Sequence, residues 1–250
     1  MSRARKTTPG PYLSSLELLR ERVPDLNEFP YHLPAFRGLT TLEFHRSVTF
    51  LVGENGSGKS TLMEAIAVAC GLNAEGGSRN FRFASRASHS SLGEFIRLAK
   101  TPAIARDSYF LRAETFYNVA TEVERLGVGG YGERPLHEQS HGESFFALLQ
   151  NRFGEHGLYL LDEPEAALSP ARQLGFLGLL HDYVKGGGQF VVATHSPIIM
   201  AYPDARIYLL GDRGIRPVAY EETEHYLITR GFLSNPRRSL SAILGEVQDA

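Results

Sequence analysis

The sequence predicts an α/β fold, a mostly parallel sheet flanked on both faces by helices, with a short antiparallel or loop-rich addition. Two observations lead there. The stretch Gly53-Glu54-Asn55-Gly56-Ser57-Gly58-Lys59-Ser60 fits the phosphate-loop pattern G-x-x-x-x-G-K-[ST] at every fixed position, with an apolar run before it and a helical pattern after it. Apolar runs over 48–52, 157–161 and 189–194 then alternate with helical patterns, and each run ends in polar groups. Strands buried on both faces by crossover helices read this way. No internal repeat and no heptad array is present, so no coiled-coil arm is expected.

Taken in order, residues 1–12 carry charge with Pro9, Gly10 and Pro11, and read as a flexible arm ahead of a single domain over 13–250. A short helix is expected over 14–22, with Leu16, Leu18 and Leu19 as its apolar side. Residues 42–44 alternate like a strand, and Val48-Thr49-Phe50-Leu51-Val52 is a buried strand. Leu62, Met63, Ile66 and Ala69 recur at helical spacing, and Gly71 stands where that helix would end. Residues 72–108 read as a loop-rich insertion, and Arg79, Arg82 and Arg86 within it as solvated surface rather than a polyanion contact. A strand is expected over 109–112, a helix over 144–153 with Phe145, Leu148 and Leu149 inward, and a strand over 157–161. Ser169 caps a helix with Pro170 in its first turn and Leu174, Leu177, Leu180 and Val184 along it. Glycines 186–188 end that helix, a strand follows, and residues 207–220 form a hairpin around 211–214. A closing helix is expected over 237–247.

Composition excludes several function classes. The 250 residues are 42% hydrophobic and 22% charged with a formal charge of −2, a globular composition that argues against a dedicated polyanion binder. The single cysteine, Cys70, cannot form an internal disulfide and fits a reducing compartment, where it reads as a core residue. The basic start, Met1 to Lys6, is not followed by an apolar run. Neither a signal peptide nor a membrane span is expected, and a cytoplasmic location is.

The chemistry gathers where strands end. In open parallel sheets ligands bind outside the carboxyl ends of the strands. The loop glycines let backbone N–H groups turn toward phosphate oxygens, and the following helix adds its dipole, so Gly53, Glu54, Asn55, Gly56, Ser57, Gly58, Lys59, Ser60 and Thr61 are assigned to a nucleoside triphosphate. Lys59 can reach the β- and γ-phosphates, and the Ser60 hydroxyl can bind Mg²⁺. Asp162, closing the run over 158–161, is placed to hold the metal's hydration shell. Glu163 is aimed elsewhere and could polarise a water in line with the γ-phosphate. Two adjacent half-buried carboxylates need such compensation, whereas a solvated acidic turn would not. His195, directly after an apolar strand, could donate a hydrogen bond to the γ-phosphate.

Ser140-His141-Gly142-Glu143 stands before a helix and upstream of the acidic pair. With Asp162, Glu163 and His195 it makes the chain resemble the ATP-binding-cassette ATPases, in which a Ser-x-Gly-Gln/Glu signature opens a helix. The resemblance implies ATP as the nucleotide, Mg²⁺ as the metal, hydrolysis, and a head-to-tail pair in which one copy's Ser140, His141, Gly142 and Glu143 cap the ATP held by the other's loop. His141 departs from the glycine usual there. Asp162-Glu163-Pro164-Glu165 and Thr194-His195-Ser196-Pro197 are similar to the SMC/RecF/OLD-like branch, and more closely to small bacterial AAA/ABC-type ATPases. The stretch between Ser60 and Ser140 is too short for the long arms of the SMC branch. The family's glutamine after the strand over 109–112 is missing, and Glu114 either stands in for it at Mg²⁺ or is an ordinary loop acid. Among residues upstream of the loop, Arg37 is the candidate for the base or ribose, beside Tyr31 and Phe36, and Phe36 reads as core.

Three function classes follow. The motif variants favour a DNA-maintenance, repair or defence ATPase, with DNA and an accessory protein among its partners. A soluble ATP-binding subunit of a transporter is the alternative, and a nucleotide-operated scaffold is the third. A small GTPase is excluded because no Asn-Lys-x-Asp motif exists in the chain.

Overall fold

The computed structural model describes residues 10–78, 90–114 and 141–244. Its centre is a sheet built from β3 (Val48–Val52), β4 (Gly77–Ser78), β6 (Asp107–Arg112), β7 (Gly157–Asp162), β8 (Gln189–Ala193), β9 (Ala205–Gly211) and β10 (Gly214–Val218), in the order β10-β9-β3-β8-β7-β6-β4. The five inner strands are parallel, and the two edge strands, β10 and β4, run antiparallel to their neighbours. β10 takes the reversed direction because a hairpin reaches it from β9 without a crossover.

The inner strands are apolar at nearly every position because both faces are covered. Val48, Phe50 and Val52 of β3 join Tyr159 and Leu161 of β7 in one core, whereas Leu51, Leu158 and Leu160 join the other. The first core is closed by α3 (His141–Arg152), through Phe145, Leu148 and Leu149, and by α4 (Pro170–Lys185), through Phe176 and Leu180. The second is closed by α2 (Lys59–Ala69) and a small antiparallel sheet of β1 (Leu13–Leu18), β2 (Thr41–Glu43) and β5 (Ile96–Lys100), ordered β2-β1-β5. A one-turn helix, α1 (Pro34–Arg37), packs its buried Phe36 into this core. Cys70 is buried there too.

Four expectations need correction. Residues 13–18 are a strand, not the start of a helix over 14–22, and only a 3₁₀ turn at Arg20–Arg22 follows. Leu16 and Leu18 point inward with the alternation of a strand, buried Leu19 follows, and a register shift between Leu13 and Ser15 brings Leu13 inward too. Residues 10–12 are not loose, because Gly10 N–H bonds the Gly187 carbonyl at 3.2 Å and Tyr12 is buried. The insertion over 72–108 contains β4, β5 and a 3₁₀ turn at Ser91–Glu94 as well as loops, whereas Arg79, Arg82 and Arg86 lie outside the described residues. On α4, Leu174 faces solvent and Phe176 takes the inward place. The closing helix expected over 237–247 is present as α6 (Pro236–Leu244), with 245–247 outside the described residues, and a further helix, α5 (Glu224–Ser234), precedes it.

Gln189 fastens the small sheet to the large one. Fully buried at the start of β8, its amide accepts from Tyr12 N–H (2.7 Å) and Leu13 N–H (2.9 Å) and donates to the carbonyls of Leu13 (2.8 Å) and His45 (2.9 Å). Gln189→Leu fills the space but strands these groups, and each buried orphan is worth about 1–3 kcal/mol. We expect a stability loss of at least about 3 kcal/mol in chemical denaturation, on the same principle. A loss under 1 kcal/mol would contradict that role for Gln189.

Candidate functional site

The parallel register brings the ends of β3, β7 and β8 to one edge, with Leu51 opposite Ala193 and Ala193 opposite Asp162. The phosphate loop leaves β3 there and enters α2. Two of its glycines are required by geometry. Gly53 has φ 146°, and a Cβ on it would lie 2.2 Å from the Leu210 carbonyl oxygen. Gly58, the N-cap of α2, has φ 97°, and a Cβ on it would press against the Phe36 ring at 3.0 Å. A side chain at either would push the loop off the sheet edge.

No side chain caps α2, so the N–H groups of its first turn remain directed toward the edge, and the helix dipole favours an anion there. Ser57 Oγ is buried in the loop without a hydrogen-bond partner among the described residues. Lys59 is buried, and its Nζ donates to the carbonyls of Gly53 (2.8 Å) and Glu54 (3.0 Å). Burial lowers its pKa, and Glu163, Asp162, Glu165 and Glu54 oppose that. A compact cation held inside an uncapped glycine loop fits a triphosphate.

Ser60 Oγ donates to Asp162 Oδ1 at 3.2 Å. On the carboxylate's other side, Arg112 Nε lies 3.6 Å from Oδ2, and the same guanidinium reaches Glu64 at 3.4 Å and Glu114 at 3.5 Å. Among the described residues no group of three or more His, Cys, Asp or Glu forms a self-sufficient metal cage. Mg²⁺ needs no such cage, since it is commonly held by one or two carboxylates together with substrate phosphates and waters. Ser60 and Asp162 fit that role. Glu114, expected at the metal, is exposed and paired with Arg112 instead.

Burial, the largest influence, raises the Asp162 carboxyl to about 6, against the pull of Arg112 and the Ser60 hydroxyl. A carboxyl whose folded pKa lies above its unfolded value of 3.8 contributes stability below that value and loses it as pH rises through about 6. Two units correspond to roughly 3 kcal/mol. Without Mg²⁺ or nucleotide, Asp162→Asn should therefore gain thermal stability relative to wild type between pH 5 and pH 7.5, by several degrees. A difference that does not change with pH would contradict the desolvated carboxyl.

Glu163 sits in the left-handed region at φ 54°, ψ 51°, a conformation uncommon for a residue with a Cβ and typical of functional turns. Its backbone N–H bonds the Ala193 carbonyl at 2.9 Å, and its half-exposed carboxylate meets His195 Nε2 at 3.5 Å. His195 is held from behind by Glu165, which accepts from the His195 backbone N–H and from Thr194 Oγ1. Burial raises the Glu165 carboxyl and lowers the His195 imidazole, which Lys59 lowers further. His195 Nδ1 lies 3.0 Å from Nε2 of His225 on α5.

Two clefts flank the loop. One of about 240 Å³ runs over its outer side between Phe29, Leu33, Lys59, Ser60 and Glu163. The other, about 410 Å³, lies between Glu54-Asn55-Gly56 and the β9–β10 hairpin, with His225 at its wall. Arg37 lines neither; its Nε donates to the His32 carbonyl at 2.9 Å. Tyr31 is buried with its hydroxyl on Ser91, and Phe36 is core. Phe29, 58% exposed, lines the smaller cleft beside the loop. Ser140 lies outside the described residues, and His141 is known only as the first residue of α3. Gly142 is buried against Arg172 and the Ala167 carbonyl, and Glu143 lies 3.8 Å from Arg172.

Reading the residues gave no role to Phe29, Arg112 or His225, and named Glu165 only within the Asp162-Glu163-Pro164-Glu165 motif. Arg112, a charge closing an apolar strand, and Glu165, a third acid after the pair, were visible signals. Phe29 and His225 had none, because only folding brings them to the loop.

A family profile described as "AAA domain" matches residues 31–125, and another described as "AAA domain, putative AbiEii toxin, Type IV TA system" matches residues 100–201. The cytochrome c biogenesis ATP-binding export protein CcmA of Mesorhizobium japonicum is 31% identical over 170 residues, covering 64% of this chain and 84% of that protein. The thiamine import ATP-binding protein ThiQ of a Ruegeria species is 28% identical over 211 residues, covering 78% and 87%. Among solved structures, the SMC head domain from Thermotoga maritima superposes with a TM-score of 0.47 at 18% identity, over 83% of this chain and 99% of that one.

Proposed function

The chain belongs to the ABC-type P-loop ATPases, and from that premise we propose that it hydrolyses Mg²⁺-bound ATP as a head-to-tail pair of copies. The single observation that carries this is the meeting of Lys59, the Ser60–Asp162 contact at 3.2 Å and the Glu163–His195 contact at 3.5 Å on one sheet edge.

Phosphoryl transfer to water asks the protein mainly for positioning and charge stabilisation. Lys59 and the loop amides neutralise the β- and γ-phosphates. Mg²⁺, held by Ser60 and Asp162, would supply charge neutralisation between the phosphates. Glu163 orients the attacking water and takes its proton, a role worth roughly 10²–10⁴ in rate. His195 donates to the γ-phosphate from Nε2. Phe29 stacks against the base. The signature from Ser140 to Glu143 completes the site from the second copy, so each copy alone holds half a site.

For the output, the names of the relatives favour an ATP-binding subunit that powers movement of a cargo across a membrane through a separate partner. Among the described residues no helix is long and apolar enough to cross a membrane, so such a partner would supply the path. The description of the second family profile and the Thr194-His195-Ser196-Pro197 motif favour a second reading, a DNA-linked or defence ATPase. The test is phosphate release from purified chain with Mg-ATP, alone, with duplex DNA at two salt concentrations, and with membranes from the source cell. Membrane-dependent stimulation supports the first reading, and salt-sensitive DNA stimulation the second. No Mg²⁺-dependent release under any condition would overturn the ATPase itself.

A further inference from the structure

We propose that His225 is a positioning residue that fixes the tautomer of His195, so that helix α5 decides which nitrogen of the γ-phosphate-facing histidine carries the proton. The inference rests on the role given to His195 above.

The two imidazoles meet edge to edge, His195 Nδ1 to His225 Nε2 at 3.0 Å, with ring centroids 5.1 Å apart. One nitrogen must donate to the other, and the surroundings choose which. In one arrangement His225 Nε2–H donates to a bare His195 Nδ1. The His195 proton then sits on Nε2, which faces Glu163 Oε1 at 3.5 Å and has no other partner among the described residues. In the reverse arrangement a lone pair on His195 Nε2 would face that carboxylate. His225 Nδ1, buried and without a hydrogen-bond partner among the described residues, would carry a stranded proton. An orphaned donor and a lone pair set against an anion both count against the reverse arrangement. Burial lowers both imidazoles from their ordinary values, which favours a neutral pair sharing this one hydrogen bond.

The consequence is directional. Only the Nε2–H form can donate to a phosphate oxygen, so His225 makes His195 competent without touching the nucleotide itself. α5 follows the β9–β10 hairpin, far along the chain from the phosphate loop, and Glu224 and His225 are the α5 residues that line the cleft there. A shift of α5 would therefore remove the donor and leave the rest of the site in place.

The test uses long-range ¹H–¹⁵N spectra of the histidine rings, with His195→Gln to assign the peaks, alongside ATP turnover. Wild type should show His195 protonated on Nε2. His225→Leu should give a mixture of tautomers and lower kcat about tenfold, the worth of one well-placed hydrogen bond, with KM changed less than about twofold. His225→Gln, whose amide N–H can take the place of the imidazole donor, should restore both the Nε2–H signal and most of kcat. Wild-type His195 protonated on Nδ1 would overturn the proposal without any variant, as would a His225→Leu protein with unchanged tautomer and rate. If His195→Gln leaves turnover unchanged, the role of His195 in hydrolysis fails instead, and the tautomer spectra still judge His225.

Discussion

Glu163→Gln is expected to lower steady-state ATP turnover by about 10³-fold while nucleotide affinity changes less than about threefold, within the range of a lost general base. The reason lies in how little else the substitution disturbs. Glu163 is partly exposed, and its place is set by the backbone, through the left-handed turn at φ 54° and the N–H bond to the Ala193 carbonyl. An amide keeps that shape and can still orient a water, but it cannot take a proton. It also removes one negative charge that would face the γ-phosphate, so the ATP-bound pair should last longer in the variant. Rapid-quench phosphate release and nucleotide-binding fluorescence check both halves. A variant within tenfold of wild type would remove Glu163 from the chemistry.

Ser140→Arg is expected to abolish turnover, by at least about 10²-fold, and to leave ATP binding to each copy intact. An oxyanion-type donor is worth that much. Mixing decides whether the signature acts on its own copy or on the other. Ser140→Arg mixed with Lys59→Ala, each inactive alone, can build one complete composite site per mixed pair. Because half of the pairs formed from an equal mixture are mixed, activity should recover to roughly a quarter of the wild-type value. A signature working within its own chain would leave the mixture dead.

Much of this site could be read from the residues because it is strung along strand ends. Gly53 to Ser60, Asp162 and His195 each follow a short apolar run, and a parallel sheet carries such ends to one edge whatever the loops do. What could not be read depends on contacts distant in sequence. Leu16, Leu18 and Leu19 read as one side of a helix, but Leu16 and Leu18 are the inward residues of β1 and Leu19 is buried just beyond it. Helix α5 has no fully buried residue, and its Leu227, Ile228, Phe232 and Leu233 face outward, so nothing in its pattern ties His225 to the phosphate loop. Arg37 looked like a base contact from its place ahead of the loop, yet its side chain turns back to His32, and Phe29 takes the exposed position. Glu114 follows the right strand, but Arg112, directly opposite Asp162 in the β6–β7 register, draws it into an ion-pair cluster.

Turnover per copy, measured across a hundredfold range of protein concentration at saturating Mg-ATP, tests most directly whether the site is shared between two copies. A composite site predicts specific activity that rises in proportion to concentration while single copies dominate and levels off once pairs do. Glu163→Gln with ATP should sediment as a dimer over the same range. Specific activity that stays flat down to concentrations where sedimentation shows only single copies would contradict the account, because the half-site in one chain would then be sufficient.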